Sequence, residues 1–462
     1  MKYCSTRGAE SSVNFEKVVL KGLASDGGLY VPEDFPFFDK EFIFSLKGLS
    51  YGEFAYHITK NFVSDSIPFK KYREICEKTY LNFSPKSKII ELLKIKKNES
   101  ILNLHNGPTY AFKDFALQLL GNIYEYFLNK NKEKLVILGA TSGDTGSAAI
   151  HGCAKCDLVK IFILFPHKKV SQIQRRQMTT VIKSNVFNIA IKGNFDDCQS
   201  LVKEFFKKNE KSKFFNLAAI NSINWVRIMG QIVYYFWSYL EFCKEKEDII
   251  YSVPTGNFGN VYAGFVAKKM GLPIKNLIVS SNSNDVLTEF FCNGSMKKKK
   301  TIKTLSPSMD IQVSSNFERL LFYFLKNNGK KLKEFYESLE KKGKFKVDKN
   351  LLNNILSTFS GGKIDDEETK TTIKEVYTKH NIIVDPHTAV GINIGRKLNV
   401  NDEKIIFLST AHYAKFLNTV EDSINTELIL PSDLSNITNK EERFDILNSD
   451  IIELESFLLN NC

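Results

Sequence analysis

The chain reads as an α/β protein, and three features of its 462 residues predict this. Apolar runs of strand length recur from residue 134 onward, helix-length stretches separate them, and the turns that follow the strands are rich in glycine. Parallel neighbours need a crossover of a dozen or more residues, so this alternation predicts parallel sheets with helices on both faces. The strand signals fall at 134–138, 161–165, 186–191, 249–253, 277–281 and 404–409. Between them, apolar residues recur at helical spacing over 112–127, 198–208 and 261–270. No period of 20 to 50 residues repeats, which sets solenoids and propellers aside.

The first ninety or so residues differ. A Gly27-Gly28 turn and prolines at 32 and 36 precede mostly helical periodicity. The expected organisation is an N-terminal unit over 1–95 and two α/β domains, over 96–235 and 236–462. Two lysine-rich stretches, 294–303 and 329–348, read as surface insertions.

Composition narrows the function classes. Hydrophobic residues make up 43 % and charged residues 25 %, the balance of a folded globular chain. The longest apolar runs fall far short of the roughly 20 residues a membrane span needs, so no membrane association is expected. The start, Met1 to Gly8, leads into neither a signal-peptide core nor an Arg-rich amphipathic stretch, and a cytoplasmic address is expected. Eight scattered cysteines form no disulfide framework. Cys153 and Cys156 make a C-x-x-C pair without a second pair or histidines to complete a zinc site, so no metal is expected. The net charge of +12 resides largely in lysine runs without a nucleic-acid motif, so no nucleic-acid partner is expected; a basic protein does attract anionic substrates.

The chemistry-bearing residues begin with Lys113. His105-Asn106-Gly107-Pro108-Thr109 is dense in turn formers, and Thr109 is placed to cap the helix that follows. Lys113 then falls in the first helical turn, where the positive end of the helix dipole disfavours an ammonium. A lysine pushed toward its free amine is what a Schiff-base lysine requires, since only the amine attacks a carbonyl.

Two glycine-rich turns follow strands and open helices: Gly139-Ala140-Thr141-Ser142-Gly143-Asp144-Thr145-Gly146 and Pro254-Thr255-Gly256-Asn257-Phe258-Gly259-Asn260. Glycine lets backbone approach an anion, and the helix start supplies unpaired N–H donors. Neither turn matches the P-loop or the dinucleotide fingerprint. A third strand end carries Ser409-Thr410-Ala411-His412, hydroxyls at a carboxyl edge where ligands collect. Asn221-Ser222-Ile223-Asn224-Trp225-Val226-Arg227 offers amides, a hydroxyl and a guanidinium suited to phosphate.

Taken together, several blocks resemble the threonine synthase family. They are Lys2-Tyr3 with Ser5-Thr6-Arg7-Gly8, Gly22-Leu23-Ala24 with Asp26-Gly27-Gly28-Leu29-Tyr30-Val31-Pro32, and Gly107-Pro108-Thr109 with Ala111-Phe112-Lys113-Asp114. Thr141 to Gly146, Asn221 to Trp225, Gly256 to Asn260, and Thr410-Ala411-His412 with Ala414-Lys415-Phe416 continue the likeness in the family's order. Tyr413 stands where the family commonly has proline and Tyr110 where an aliphatic residue is usual, while Cys4 interrupts the opening block.

The resemblance implies a fold type II enzyme dependent on pyridoxal 5'-phosphate. It implies Lys113 as the cofactor-bearing lysine and general base, and Gly256, Asn257, Phe258, Gly259 and Asn260 as the cofactor-phosphate loop. Thr410 would face the pyridine nitrogen, and a hydroxyl there leaves that nitrogen unprotonated. Ser142, Gly143, Asp144 and Thr145 would hold the substrate carboxylate, and Asn221, Ser222 and Arg227 the substrate phosphate. The implied reaction converts O-phospho-L-homoserine and water into L-threonine and phosphate, in a monomer or homodimer. Two rivals share the residues: a phospho-lyase on the same scaffold that releases 2-oxobutyrate, and a non-catalytic binding protein.

Overall fold

The computed structural model describes residues 1–81, 83, 88–209, 216–220, 222–244 and 247–462. Two mainly parallel sheets organise it. In the larger sheet the order is Phe359–Lys363, Ile274–Ser281, Ile249–Pro254, Ile405–Ser409, Glu99–Asn103 and Glu91–Lys94. Only the last, an edge strand, runs antiparallel to its neighbour. In the smaller sheet Asp445–Asn448, Val186–Lys192, Val159–Pro166, Leu135–Ala140 and Leu217–Ala219 are all parallel. Burial on both faces explains the unbroken apolar runs: every residue of Ile249–Pro254 and of Ile405–Ser409 is buried.

The strand pairing cuts across the contiguous division expected at 95/96 and 235/236. Glu99–Asn103 belongs to the larger sheet, beside a strand some 300 residues later, and Asp445–Asn448 returns to the edge of the smaller one. Nor does the N-terminal region bury a core of its own. Its short antiparallel pair, Tyr3–Ser5 with Tyr30–Pro32, and its helices Phe15–Lys21, Lys40–Ser45, Tyr51–Val63 and Phe69–Tyr80 contribute to the apolar cluster that also takes in Ile137, Val253 and Leu277. Trp225 joins the two, with Tyr3 and Phe62 against its ring at 6.1 and 5.6 Å.

Polar contacts reinforce that docking. Thr6 Oγ1 and both Arg7 Nε and Nη2 donate to the Glu318 carboxylate at 2.6, 3.2 and 3.0 Å. The next residue, Arg319, is fully buried and donates through Nε and Nη2 to the Tyr30 carbonyl at 3.0 and 2.8 Å.

The two lysine-rich stretches, expected as surface insertions, pack together as one folded element. Ser295–Lys297 pairs antiparallel with Lys344–Lys346, and Gly329–Lys342 is a helix that buries Leu332 and Leu339. Phe345 anchors the unit against Phe290 and Phe335, so the lysines are the wet face of one small folded flap.

Candidate active site

Lys113 opens the helix Lys113–Asn131, which buries Phe115, Ala116, Leu119, Leu120 and Ile123. The expected cap is reversed. Thr109 does not cap this helix; Asp114 reaches back instead, accepting from Thr109 N at 2.8 Å and Thr109 Oγ1 at 2.7 Å. Burial pushes the Asp114 carboxyl up to about 6, against those two donors. Tyr110, at φ 58, turns the chain so that Ala111 bridges Ala411. Phe112 N donates to Thr410 O at 3.0 Å and His412 N to Tyr110 O at 3.1 Å. Two segments some 300 residues apart thereby set Lys113 beside Thr410 at the carboxyl edge of the larger sheet.

The Lys113 side chain is buried, and its Nζ donates to Asp144 Oδ2 at 3.3 Å. Burial lowers its pKa; the Asp144 charge opposes this, while Lys415 and Arg227 add to the lowering. Burial is thus the first cause of its lowered basicity.

The first glycine-rich turn joins Leu135–Ala140 to the helix Asp144–Cys153. Thr141 Oγ1 holds it by accepting from Gly143 N and Gly146 N, both at 2.9 Å. The Asp144 carboxylate is committed to donors. Besides Lys113 it accepts from Lys415 Nζ at 2.8 Å, Gln174 Nε2 at 2.9 Å and Ser308 Oγ at 3.5 Å. Against the upward push of burial, Lys113 and Lys415 hold it well below the usual carboxylate range. An anionic ligand here would meet the open N–H groups at the helix start and the half-buried Ser142 and Thr145, not this side chain.

The second turn joins Ile249–Pro254 to the helix Gly259–Lys269 and contains no charge. Phe258, at φ 61, turns its ring into the core against Phe317 and Phe359, leaving only backbone to a ligand. Asn260 faces the neighbouring helix: its Oδ1 accepts from Tyr234 and Tyr235 hydroxyls at 2.5 and 3.0 Å. Its Nδ2 has no partner among the described residues. A strap at 308–316 clamps the turn. Ser314 Oγ donates to Gly256 O at 2.6 Å, Ser315 Oγ to Asn257 Oδ1 at 3.3 Å, and Asn316 N and Nδ2 to Asn257 O at 3.1 and 3.0 Å. A Cβ on Gly256 would lie 2.4 Å from Ser308 O, so only glycine fits under the strap.

Asn221 lies outside the described residues. Ser222 joins the second turn: its Oγ is 3.0 Å from Ser315 Oγ and its carbonyl accepts from Asn316 Nδ2 at 3.1 Å. Arg227 stands in the first turn of the helix Trp225–Phe242, which Asn224 caps through Val226 N. It is buried, and its Nε and Nη1 have no hydrogen-bond partner among the described residues. Burial lowers it to about 10. A desolvated guanidinium without a carboxylate is a costly arrangement unless an anion completes it.

Several residues at the site were not expected from sequence. Lys415, Gln174, Ser308 and Asn316 carry the contacts above. His387 supports the strap: its Nδ1 is 2.6 Å from Asp385 Oδ2 and its Nε2 accepts from Ser308 N at 3.2 Å. The T-A-H-Y-A-K-F run marked Lys415 without assigning it a partner.

Among the described residues no group of three His, Cys, Asp or Glu could hold a metal ion, and no helix is long and apolar enough to cross a membrane. Cys153 is a core residue whose thiol burial pushes up to about 12. What the site offers is a buried amine biased toward its neutral form, two backbone anion cradles and a buried guanidinium with two nitrogens unpaired among the described residues. That combination suits covalent and proton-transfer chemistry on a small anionic molecule.

Comparison with known proteins agrees. Residues 2–80 match the family described as threonine synthase N terminus, 101–341 the pyridoxal-phosphate dependent enzymes, and 388–458 the threonine synthase C-terminal family. The chain is 46 % identical to threonine synthase of Pseudomonas aeruginosa over 99 % of its own length and 98 % of the relative's. It is 38 % identical to threonine synthase of Saccharomyces cerevisiae, covering 98 % and 96 %. The X-ray structure of PLP-bound threonine synthase from Brucella melitensis superposes with a TM-score of 0.96 at 40 % identity, covering 100 % and 99 %.

Proposed function

We propose residue roles from one premise: the chain belongs to the threonine synthase family, whose members are pyridoxal-phosphate-dependent lyases. The reaction is conversion of O-phospho-L-homoserine and water into L-threonine and phosphate. Lys113 carries the cofactor covalently through Nζ, in a Schiff base. The N–H groups of Gly256, Asn257, Phe258, Gly259 and Asn260 take its phosphate, and Thr410 meets its ring nitrogen. The residues present fit that group: the amine is buried and biased to the neutral form, and Gly256 is backed so closely that no side chain fits.

When bound, pyridoxal phosphate supplies an aldehyde for amine exchange and a ring that delocalises the electron pair released at Cα. The chain does the rest. Lys113 Nζ, freed by amine exchange, takes and returns protons at the substrate carbons within its reach. Ser142, Gly143 and Thr145 orient the substrate carboxylate through the start of the Asp144–Cys153 helix, with Asp144 holding Lys113 in place. Arg227, with Asn221 and Ser222, receives the phosphate, and its charge stabilises the departing oxygen.

The observation that carries this reading is the coincidence of a buried guanidinium whose Nε and Nη1 have no hydrogen-bond partner among the described residues with a buried amine whose basicity is lowered first by burial and further by that guanidinium. An anionic substrate satisfies the first and exposes its carbon to the second. The eight free cysteines accord with a reducing, cytoplasmic compartment. Borohydride reduction of the full chain followed by peptide mapping should place the cofactor on Lys113, and product analysis should return threonine. An adduct on another residue removes the assignment, and 2-oxobutyrate as the main product replaces the reaction.

A further inference from the structure

Lys415 is a buried charge of the site that the reaction, as assigned above, does not use. Its side chain is fully buried, on the short 3-10 turn Tyr413–Phe416 that follows Thr410 and His412. That turn is fastened by His412 Nδ1, which accepts from Ala414 N at 3.2 Å. Lys415 Nζ reaches Asp144 Oδ1 at 2.8 Å, while Lys113 Nζ reaches the other oxygen at 3.3 Å. One carboxylate thus serves two lysines, and the closer, drier partner is not the one expected to react.

The division has a physical reason. Lys113 must lose its proton and swing to another bond in every turnover. If it were the only partner of Asp144, each departure would strand a buried anion, which is among the costliest events in a protein interior. We propose that Lys415 is a positioning residue for the reaction: as the standing counter-ion of Asp144, it lets Lys113 leave and return without stranding that carboxylate. The inference rests on the reading of Lys113 as the cofactor-bearing lysine. It also accounts for the sharing of oxygens, since a carboxylate bound at one oxygen by a fixed ammonium keeps the other pointed at the mobile one.

The charged groups around the pair are few. Asp144 and Arg227 act on Lys113 directly, and the Phe112 ring stacks 5.6 Å from its Nζ. Asp114, His105, His412 and His151 lie within the field of Lys415. Burial holds the three histidines low, so near neutral pH they add no charge. Loss of the Lys415 charge therefore removes one of the two cations that oppose Asp144 at Lys113, leaves Arg227 as the other, and raises the pKa of Lys113.

The test reads that amine directly. Full-length protein freed of cofactor is reductively methylated with formaldehyde and cyanoborohydride across pH, and the rate at Lys113 is followed by peptide mapping. In Lys415→Met the midpoint should move up by about one unit, roughly a tenfold loss of free amine below it. Lys415→Arg should restore the natural midpoint. In the holoenzyme Lys415→Met should lower kcat far more than it changes KM. Should Lys415→Met not fold, the same readout is taken in Lys415→Gln, whose amide can still donate to Asp144 Oδ1 without supplying charge; it must again raise the Lys113 midpoint. An unmoved midpoint in the variant that folds overturns the proposal. If pyridoxal phosphate attaches elsewhere in the natural protein, the assignment of Lys113 fails on its own, independently of how its midpoint responds.

Discussion

The two glycine-rich turns occupy equivalent places, each between the end of a parallel strand and the start of a helix, yet they are built from opposite materials. The turn at Thr141 to Gly146 is knit by charge, with Asp144 shared between Lys113 and Lys415. The turn at Gly256 to Asn260 is knit by neutral groups, the hydroxyls and amides of Ser314, Ser315, Asn316, Tyr234 and Tyr235. The difference follows from the role proposed for each. Where a ligand's phosphate stays through every turnover, rigid neutral N–H donors suffice and cost no reorganisation. Where protons move, mobile charges must be balanced at each stage.

The contrast can be broken most severely on the charged side. Lys113→Ala should abolish covalent attachment of the cofactor and lower kcat/KM by roughly 10³–10⁴ or more, the scale of a lost acid–base group, with the fold intact by circular dichroism. Gly256→Ala strikes the neutral side. Its Cβ would meet the Ser308 carbonyl, costing about 1–3 kcal/mol, so cofactor affinity in a dialysis titration should fall roughly 5- to 150-fold. Arg227→Met should stabilise the ligand-free protein, by about 1–3 kcal/mol in thermal unfolding, because it removes a desolvated charge whose Nε and Nη1 find no partner among the described residues; the same change should raise KM for the phosphorylated substrate. The smallest effect belongs to the support of the neutral turn. Tyr235→Phe removes donations to Asn260 O and Oδ1 and should cost about 1 kcal/mol of stability with little change in kcat.

Much of this site was legible in the sequence because its parts are local. Each turn is a contiguous run whose glycines follow an apolar strand, and Lys113 follows a cluster of turn formers. What escaped depended on distant pairing. Nothing near Lys415 indicates that it meets Asp144, 271 residues away. The carboxylate of Asp144 was read as part of an anion site because its run looks like one, although the side chain serves the cations and only the backbone remains for an anion. Thr109 has the chemistry of a cap, but Asp114, one residue into the helix, competes for it and wins with two bonds. The short strand Phe359–Lys363 is hard to see in sequence because Gly361-Gly362 has the composition of a turn, and the lysine-rich stretches read as surface insertions because their buried side, Phe345, Leu332 and Leu339, is sparse.

The guanidinium of Arg319 bears on how such a chain can be shortened or spliced. It holds the Tyr30 carbonyl with two bonds and meets Ile223 O and Asn316 Oδ1 with the others, and Asn316 in turn clamps Asn257 and Ser222. A fragment lacking the first strand pair would leave that cation in an apolar interior with two of its four hydrogen bonds gone. The catalytic portion is therefore not a self-sufficient cassette, and a chimaera that exchanges the amino-terminal segment must bring a carbonyl to the same spot or lose its grip on vitamin B6.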